Sequence, residues 1–302
     1  MTVTPGEAND AANQLYGRHK HTRTLHAKGT LLKGTFTATP QAAQLTRAAH
    51  MQGEPVPVTA RVSNGGGDPN VPDYVPDVRG LAVKMYLPDG GRTDIVAQTV
   101  PRFPFHDVEG FVALLKAQAA GAARLWKLPL VFARHPEALL SAPANLPTLK
   151  PPTSYATTRY YAVHAYRFVD ANGGSRYVRY TFVPETEEPR MSPKAAKPKG
   201  RDYLQDEIRE RIASSPARFT LQAQIAGPQD NPHDPSSTWP DDRERVNLGT
   251  LELTELETGR ETDGDILVFD PARVTDGIEL SDDPVLNFRP AAYSDSVARR
   301  TA

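Results

Sequence analysis

The sequence predicts an α+β fold built on an antiparallel eight-stranded β-barrel, with helices inserted between strands and a helix at the C-terminal end. Alternating apolar stretches typical of strands come in groups, joined by tight turns such as Asp89-Gly90-Gly91 and Asn172-Gly173. Strands and helices do not alternate regularly, which argues against a doubly wound parallel sheet. About eight antiparallel strands can close into a barrel that carries its helices outside.

The first half of the chain contains four predicted strands and one long helix. Residues 1–22 are polar and predict an N-terminal arm. Residues 30–39 and 56–64 alternate as strands, and residues 80–98 form a hairpin. Residues 106–128 have apolar positions at helical spacing, with Asp107 as the N-cap.

The second half of the chain completes the barrel and ends in a helix. Residues 160–185 predict a second hairpin, and a Lys/Pro linker over 191–200 leads to a charged helix over 202–215. The last strands are predicted at 218–226 and 246–257, and a terminal helix is capped near Ser281. We therefore expect one domain over 23–302, with the barrel over about 23–260 and the terminal helix over about 282–300.

The composition limits the classes of function. The chain has 302 residues, 39% of them hydrophobic, a net charge of −1 and no cysteine. Thiolate metal sites, iron–sulfur clusters and thiol chemistry are excluded, so a redox function needs a bound cofactor. The balanced charge gives no sign of nucleic acid or of an anionic membrane as a partner. The sequence shows neither a signal peptide nor an apolar run of the roughly 18 residues that span a membrane, so we expect a cytoplasmic protein.

Two parts of the sequence could carry redox and acid–base chemistry. Arg289 and Tyr293 are four residues apart, so a helix places them on one face. The guanidinium favours a negative charge on the phenol oxygen, and a phenolate can bind ferric haem iron. His26 could move a proton near neutral pH. Each of these features alone also fits an ordinary packing pair or a hydrogen-bonded histidine.

Arginines and aromatic residues supply further candidates. Arg23, Arg61 and Arg300 carry guanidinium forks that pair with carboxylates such as haem propionates. Phe103 and Phe111 could form the wall of a flat macrocycle. Taken singly, the arginines also fit solvated surface charges and the phenylalanines also fit a core.

In chain order, five segments resemble the haem catalase family, and the resemblance runs from about residue 17 to the end. The segments are "RTLHAKG", "ARVSN" followed by "VRGLAVKMY", "TDIVAQTVPRFPFHD", "VHAYRFVDANGG" and "LVFDPARVTDGIELSDDPVLNFRPAAY". The chain stops shortly after the last segment, without the extra helical region of the usual family member. It therefore resembles the short catalase-related peroxidases, which implies a catalase-like barrel and haem b (iron protoporphyrin IX) as the cofactor.

The resemblance also implies a role for each candidate residue. His26 is expected to be the distal acid–base residue, Ser63 orients its ring, and Gln98 supplies the distal amide. Tyr293 is the expected axial ligand of the iron, with Arg289 beside it and His164 and Asp283 holding that arginine. The other expected haem contacts are Arg23, Arg61 and Arg300 at the propionates (with Arg299 as the fallback), Leu25 over the haem face, and Phe103 and Phe111 as the aromatic wall.

The implied activity is that of a haem peroxidase that reduces hydrogen peroxide or organic hydroperoxides with small organic electron donors, with weak or no catalase activity. Two positions depart from the family pattern. Gln98 stands where the family has an asparagine, and Pro290 lies inside the predicted terminal helix, where proline usually kinks or caps. A true catalase, an allene-oxide-synthase-like enzyme, a haem carrier or sensor and a cofactor-free barrel stay open. We also expect a homo-oligomer, with a dimer favoured.

Overall fold

A computed structural model describes residues 2–262 and 264–301, and in these residues nine strands form one antiparallel sheet. The strands are β1 Gly29–Ala38, β2 Val56–Asn64, β3 Arg79–Tyr86, β4 Arg92–Gln98, β5 Tyr160–Val169, β6 Ser175–Pro184, β7 Ala217–Ile225, β8 Arg245–Leu256 and β9 Ile278–Leu280. Strands β1 to β8 follow one another around the sheet in the order β4-β3-β2-β1-β8-β7-β6-β5, and Gln98 pairs with Tyr161 to close the ring. The short β9 pairs with β5 beyond that point. The predicted closed eight-stranded barrel is confirmed.

Helices connect the strands and cover part of the barrel. The predicted helix over 106–128 is divided in two after residue 118, and its N-cap is confirmed because Asp107 Oδ1 accepts a 2.8 Å hydrogen bond from Gly110 N. None of the helices in the described ranges is long and apolar enough to cross a membrane. The helices are α1 Pro5–Tyr16, α2 Pro40–Leu45, α3 Val108–Gln118, α4 Arg124–Arg134, α5 Glu137–Asn145, α6 Pro193–Ala196, α7 Tyr203–Ser214 and α8 Pro284–Thr301.

Alternation along the strands separates a barrel core from an outer face. On β2, Ala60 and Val62 join the buried core, so Arg61 and Ser63 lie on the outer side of the barrel. A second apolar cluster forms where α1, α3 and α8 meet. Burying a large apolar side chain contributes roughly 1.5–3 kcal/mol, so this second cluster fixes the helices against one another.

The segment predicted as an N-terminal arm contains α1, which the sequence analysis did not predict. Thr4 and Glu7 form a capping box at its start, and Ala11 and Ala12 are buried against α3 and α8. Asn9 Nδ2 donates to the carboxylate of Asp295 on α8 at 2.7 Å. The polar composition concealed the helix because its buried residues, apart from Asn9, are small alanines.

The start of α8 differs from its prediction. The helix begins at Pro284, and Asp283 Oδ1 accepts from the backbone N–H groups of Val285 at 2.8 Å and Leu286 at 3.1 Å. The predicted cap near Ser281 is therefore two residues too early. Pro290 does not end the helix, which continues to Thr301.

Candidate functional site

His26 lies outside the barrel, and hydrogen bonds hold both its backbone and its ring. Its φ of 56° is in the left-handed region, and its N–H donates to Gly65 O at 3.0 Å. Arg61 Nη1 donates to its carbonyl oxygen at 2.8 Å, and its Nδ1 is 3.0 Å from Ser63 Oγ. The structure thus brings His26, Ser63 and Arg61 together, in agreement with the resemblance.

Gly80 makes the His26–Ser63 contact possible, and no pattern in the sequence pointed to it. A Cβ at this position would lie 2.8 Å from Ser63 Oγ and 2.9 Å from His26 Nδ1. Gly67 is similarly constrained, because a Cβ there would lie 2.2 Å from the Thr24 carbonyl oxygen. A glycine inside a strand can signal such a close approach, but it does not name the group that approaches.

The His26 imidazole is neutral at ordinary pH. Burial, reinforced by the charges of Arg61, Arg289 and Arg23, lowers its pKa to about 3. The residue as a whole is half-buried. An uncharged imidazole has a lone pair with which it can accept a proton.

One row of residues crosses the outer face of the barrel beside His26. Ser63 pairs with Gly80, and Gly80 pairs with Gln98. With neighbouring strands about 4.8 Å apart, Gln98 is roughly 10 Å from Ser63 on the same face. The register therefore places the amide on the side of the barrel where His26 lies.

Apolar side chains line the same region. The rings of Phe103 and Phe111 lie 5.4 Å apart between centroids and are tilted by 47°. Both pack, with Leu25 and with Phe288 of α8, against the second apolar cluster. The three residues expected to surround a flat ligand are thus adjacent to the helix that carries Tyr293.

A chain of hydrogen bonds ends at Tyr293. Asp283 Oδ2 lies 2.6 Å from His164 Nδ1, and Arg289 Nη1 lies 2.9 Å from His164 Nε2. Arg289 Nε donates to the Tyr293 phenol oxygen at 2.9 Å. Burial lowers the pKa of His164, so a neutral ring donates to Asp283 and accepts from Arg289. Because Asp283 also caps α8, one carboxylate fixes both the helix and the chain.

Five arginines line a cavity of about 770 Å³, and three of them are the predicted Arg23, Arg61 and Arg300. Burial and the neighbouring Arg23 lower the pKa of Arg61 to about 9, and the same two causes lower the pKa of Arg300. Arg300 Nε is buried and has no hydrogen-bond partner in the described structure. Positive charges clustered around one cavity favour the binding of carboxylates.

The remaining arginine of the tail is already paired. Arg299 contacts the carboxylates of Asp10 at 2.5 Å and Asp295 at 2.6 Å, and it does not line the 770 Å³ cavity. Arg300, rather than the fallback Arg299, is therefore the residue that faces the cavity. Ser296 Oγ lies 3.0 Å from Thr24 Oγ1 and joins the histidine segment to α8, a contact with no signal in the sequence.

The chain is similar to known proteins over nearly its whole length. The Catalase family model matches residues 14–302. The chain is 46% identical over 299 residues to a catalase-related peroxidase of Mycolicibacterium paratuberculosis, a match that covers 99% of this chain and 95% of that protein. It is 33% identical over 305 residues to a catalase-related peroxidase of Synechococcus elongatus, covering 99% and 89% of the two chains.

Longer proteins match over a smaller share of their length. Catalase isozyme 2 of Solanum tuberosum is 28% identical over 92% of this chain and 60% of its own length. A crystal structure of a fungal catalase superimposes with a TM-score of 0.81 at 22% identity, covering 92% of this chain and 59% of that one. The fold is shared with that fungal enzyme, and the family match over nearly the whole sequence shows that this chain belongs to the catalase family.

Proposed function

We propose that this chain is a haem peroxidase that reduces hydrogen peroxide or organic hydroperoxides with small organic electron donors and has weak or no catalase activity. The observation that carries the proposal is a pair of hydrogen-bonded assemblies. His26 Nδ1 lies 3.0 Å from Ser63 Oγ, and Arg289 Nε donates to the Tyr293 phenol oxygen at 2.9 Å. The charge of Arg289 also contributes to the lowered pKa of His26. Two similar proteins that cover nearly the whole chain are named catalase-related peroxidases.

The residues fit haem b, the cofactor that the family implies. The Tyr293 oxygen accepts a hydrogen bond from a guanidinium, which stabilises the negative charge that an oxygen ligand of ferric iron carries. The orphaned Nε of Arg300 and the lowered pKa of Arg61 mark a cluster with more guanidinium groups than carboxylate partners, and two propionates would supply further carboxylates. The sequence contains no cysteine, so a thioether-linked haem is excluded.

His26, Ser63 and the apolar wall would act on the peroxide. His26, which its pKa of about 3 keeps neutral at ordinary pH, would accept a proton from one peroxide oxygen and return it to the oxygen that leaves as water. Ser63 fixes the ring through Nδ1. Phe103 and Phe111 restrict the access of water. Haem, when bound, supplies the redox chemistry.

Tyr293 and its partners would act from the other side. Arg289 holds the phenol oxygen through its Nε and is itself held by the neutral His164, which Asp283 orients. This arrangement fixes where the oxygen lies and stabilises negative charge on it. The three supporting residues are therefore positioning residues, and Tyr293 is the proposed metal ligand.

Gln98 supports the donor reaction over catalase activity. Its amide is one methylene longer than the asparagine of the family pattern, so its donor group lies in a different place. A displacement of about 1 Å in a catalytic contact can lower a rate by roughly a hundredfold. We propose that this lowers the reaction with a second peroxide and leaves small organic donors as the reductants. The expected cytoplasmic location and homodimer stay predictions.

The function is tested by product analysis of the haem-loaded protein. We expect hydrogen peroxide to drive oxidation of a phenolic donor faster than it yields oxygen. Dominant oxygen evolution would instead identify a catalase, and conversion of a fatty-acid hydroperoxide to an allene oxide without donor oxidation would identify the alternative enzyme. A Soret band that peroxide leaves unchanged would show a carrier or sensor.

Gly80→Ala tests the geometry of the His26–Ser63 pair. The added methyl group would overlap both partners, which costs about 1–3 kcal/mol or displaces the ring. We expect haem to bind at the normal stoichiometry and the reaction with peroxide to slow by roughly a hundredfold, measured by stopped-flow absorbance. Gly259→Ala is the control, since its added methyl group meets nothing closer than 3.4 Å. Wild-type kinetics in Gly80→Ala would show that the pair is not needed.

A further inference from the structure

Arg23 is already bound to a carboxylate of the chain itself. Its Nη1 donates to Glu261 Oε2 at 2.9 Å, and its Nη2 donates to the other carboxylate oxygen and to Leu267 O. The side chains of Arg23 and Glu261 are only 18% and 24% exposed. A bidentate pair with this little exposure is stronger than an ordinary surface ion pair.

Glu261 acts on the whole arginine cluster. Its charge raises the pKa of Arg61 and of Arg300, against the stronger lowering effects of burial and of Arg23. The other carboxylates that line the cavity have partners elsewhere: Asp265 binds Arg260 at 2.6 Å, and Glu257 lies 3.5 Å from Lys33. Within the described residues, the three guanidinium groups thus share one carboxylate. Two haem propionates would raise the number of carboxylates at the cluster from one to three.

The backbone of Glu261 is held in an unusual shape. Its φ of 58° is left-handed, a region that a non-glycine residue adopts only with backbone strain. Asp265 Oδ2 accepts from the Glu261 N–H at 2.9 Å and closes the loop that carries it. This strained backbone conformation is the one in which the Glu261 carboxylate contacts Arg23.

We propose that Glu261 is a built-in counter-anion of the haem-propionate site, which holds Arg23 before haem binds and competes with a propionate for that guanidinium. The proposal rests on the proposed haem-dependent function and adds a residue that regulates cofactor binding. It explains how a cluster of like charges can stay folded around an open cavity. The Arg23–Glu261 pair lowers the affinity for haem, because a propionate that binds Arg23 has to displace the Glu261 carboxylate.

Glu261→Gln tests the proposal with two readouts that do not depend on turnover. The amide keeps the size of the side chain and removes its charge. In the haem-free protein we expect the melting temperature to fall by a few degrees, because the arginines lose their carboxylate. We expect haem b to bind about tenfold more tightly, the change that roughly 1.4 kcal/mol gives, measured by Soret titration in competition with apomyoglobin.

Two controls separate competition from a simple effect on the loop. Asp265→Asn weakens the loop closure and leaves the Glu261 charge, so its haem affinity should not rise. Haem b dimethyl ester lacks free carboxylates, so the gain of Glu261→Gln should disappear with this probe. A gain of equal size with the ester, or weaker haem binding in both variants, would overturn the proposal. Either result would show that the loop with Glu261 acts by covering the cavity and not through its charge. If the wild-type protein binds no haem b at all, the proposed function itself fails.

Discussion

Replacing Tyr293 with phenylalanine should strongly reduce the amount of haem that the protein retains. The substitution removes the oxygen that accepts from Arg289 Nε and that would bind the iron, and it leaves the ring in place. Without this ligand, haem would be held by its propionates and the apolar wall alone. We expect occupancy to fall below about a tenth of the wild-type value, measured as the ratio of Soret to protein absorbance after reconstitution with haem b.

Tyr293→His and Tyr166→Phe are the matched controls. A histidine restores a ligand atom and should recover haem binding with a shifted spectrum. Tyr166 is buried within the field of Arg289, and its hydroxyl donates to Pro271 O at 3.0 Å, so its phenylalanine variant loses a comparable polar contact without losing the proposed ligand. Losing such a hydrogen bond costs about 1 kcal/mol, and circular dichroism shows whether each variant folds. Full occupancy with an unchanged spectrum in Tyr293→Phe would reject the assignment.

The sequence predicted those parts of the site that depend on local pattern and family resemblance. Arg289 and Tyr293 are four residues apart and therefore lie on one face of any helix that contains them. Tight turns between alternating strands predicted a barrel. The contacts of His26 with Ser63 and of Arg289 with His164 were implied by the resemblance and lie where it placed them. Without that resemblance, the spacing along the chain would not have joined them.

The missed features depend on three-dimensional register or on space left unfilled. Gly80 contributes nothing except the absence of a methyl group, and that absence has meaning only once Ser63 and His26 lie against it. Glu261 meets Arg23 from 238 residues away, in a loop without a motif. Helix α1 was concealed because a face of small alanines gives a weak apolar signal.

Removing the imidazole of His26 should slow the reaction with peroxide by about two to four orders of magnitude and leave haem bound. Asparagine is the cleaner substitution than alanine, since it tolerates the left-handed backbone that this position requires at φ 56°. Stopped-flow absorbance of the haem-loaded variant measures the rate, and the Soret ratio measures occupancy. Ser63→Ala should give a smaller loss, because the ring stays present and loses only its orientation.

The pH profile gives a second, independent check on His26. The neutral ring is the form that accepts a proton, and its lowered pKa of about 3 means that this form predominates throughout pH 5–8. Propionates on the arginine cluster would oppose the arginine contribution, but burial is the larger cause, so the ring should stay neutral across this range. The wild-type rate should therefore be flat from pH 5 to 8 and fall only in stronger acid, as the ring becomes protonated. A wild-type rate that rises with a midpoint near the ordinary histidine pKa of about 6.5 would show that the base is solvated or is another group. An unchanged rate in His26→Asn would remove the acid–base role altogether.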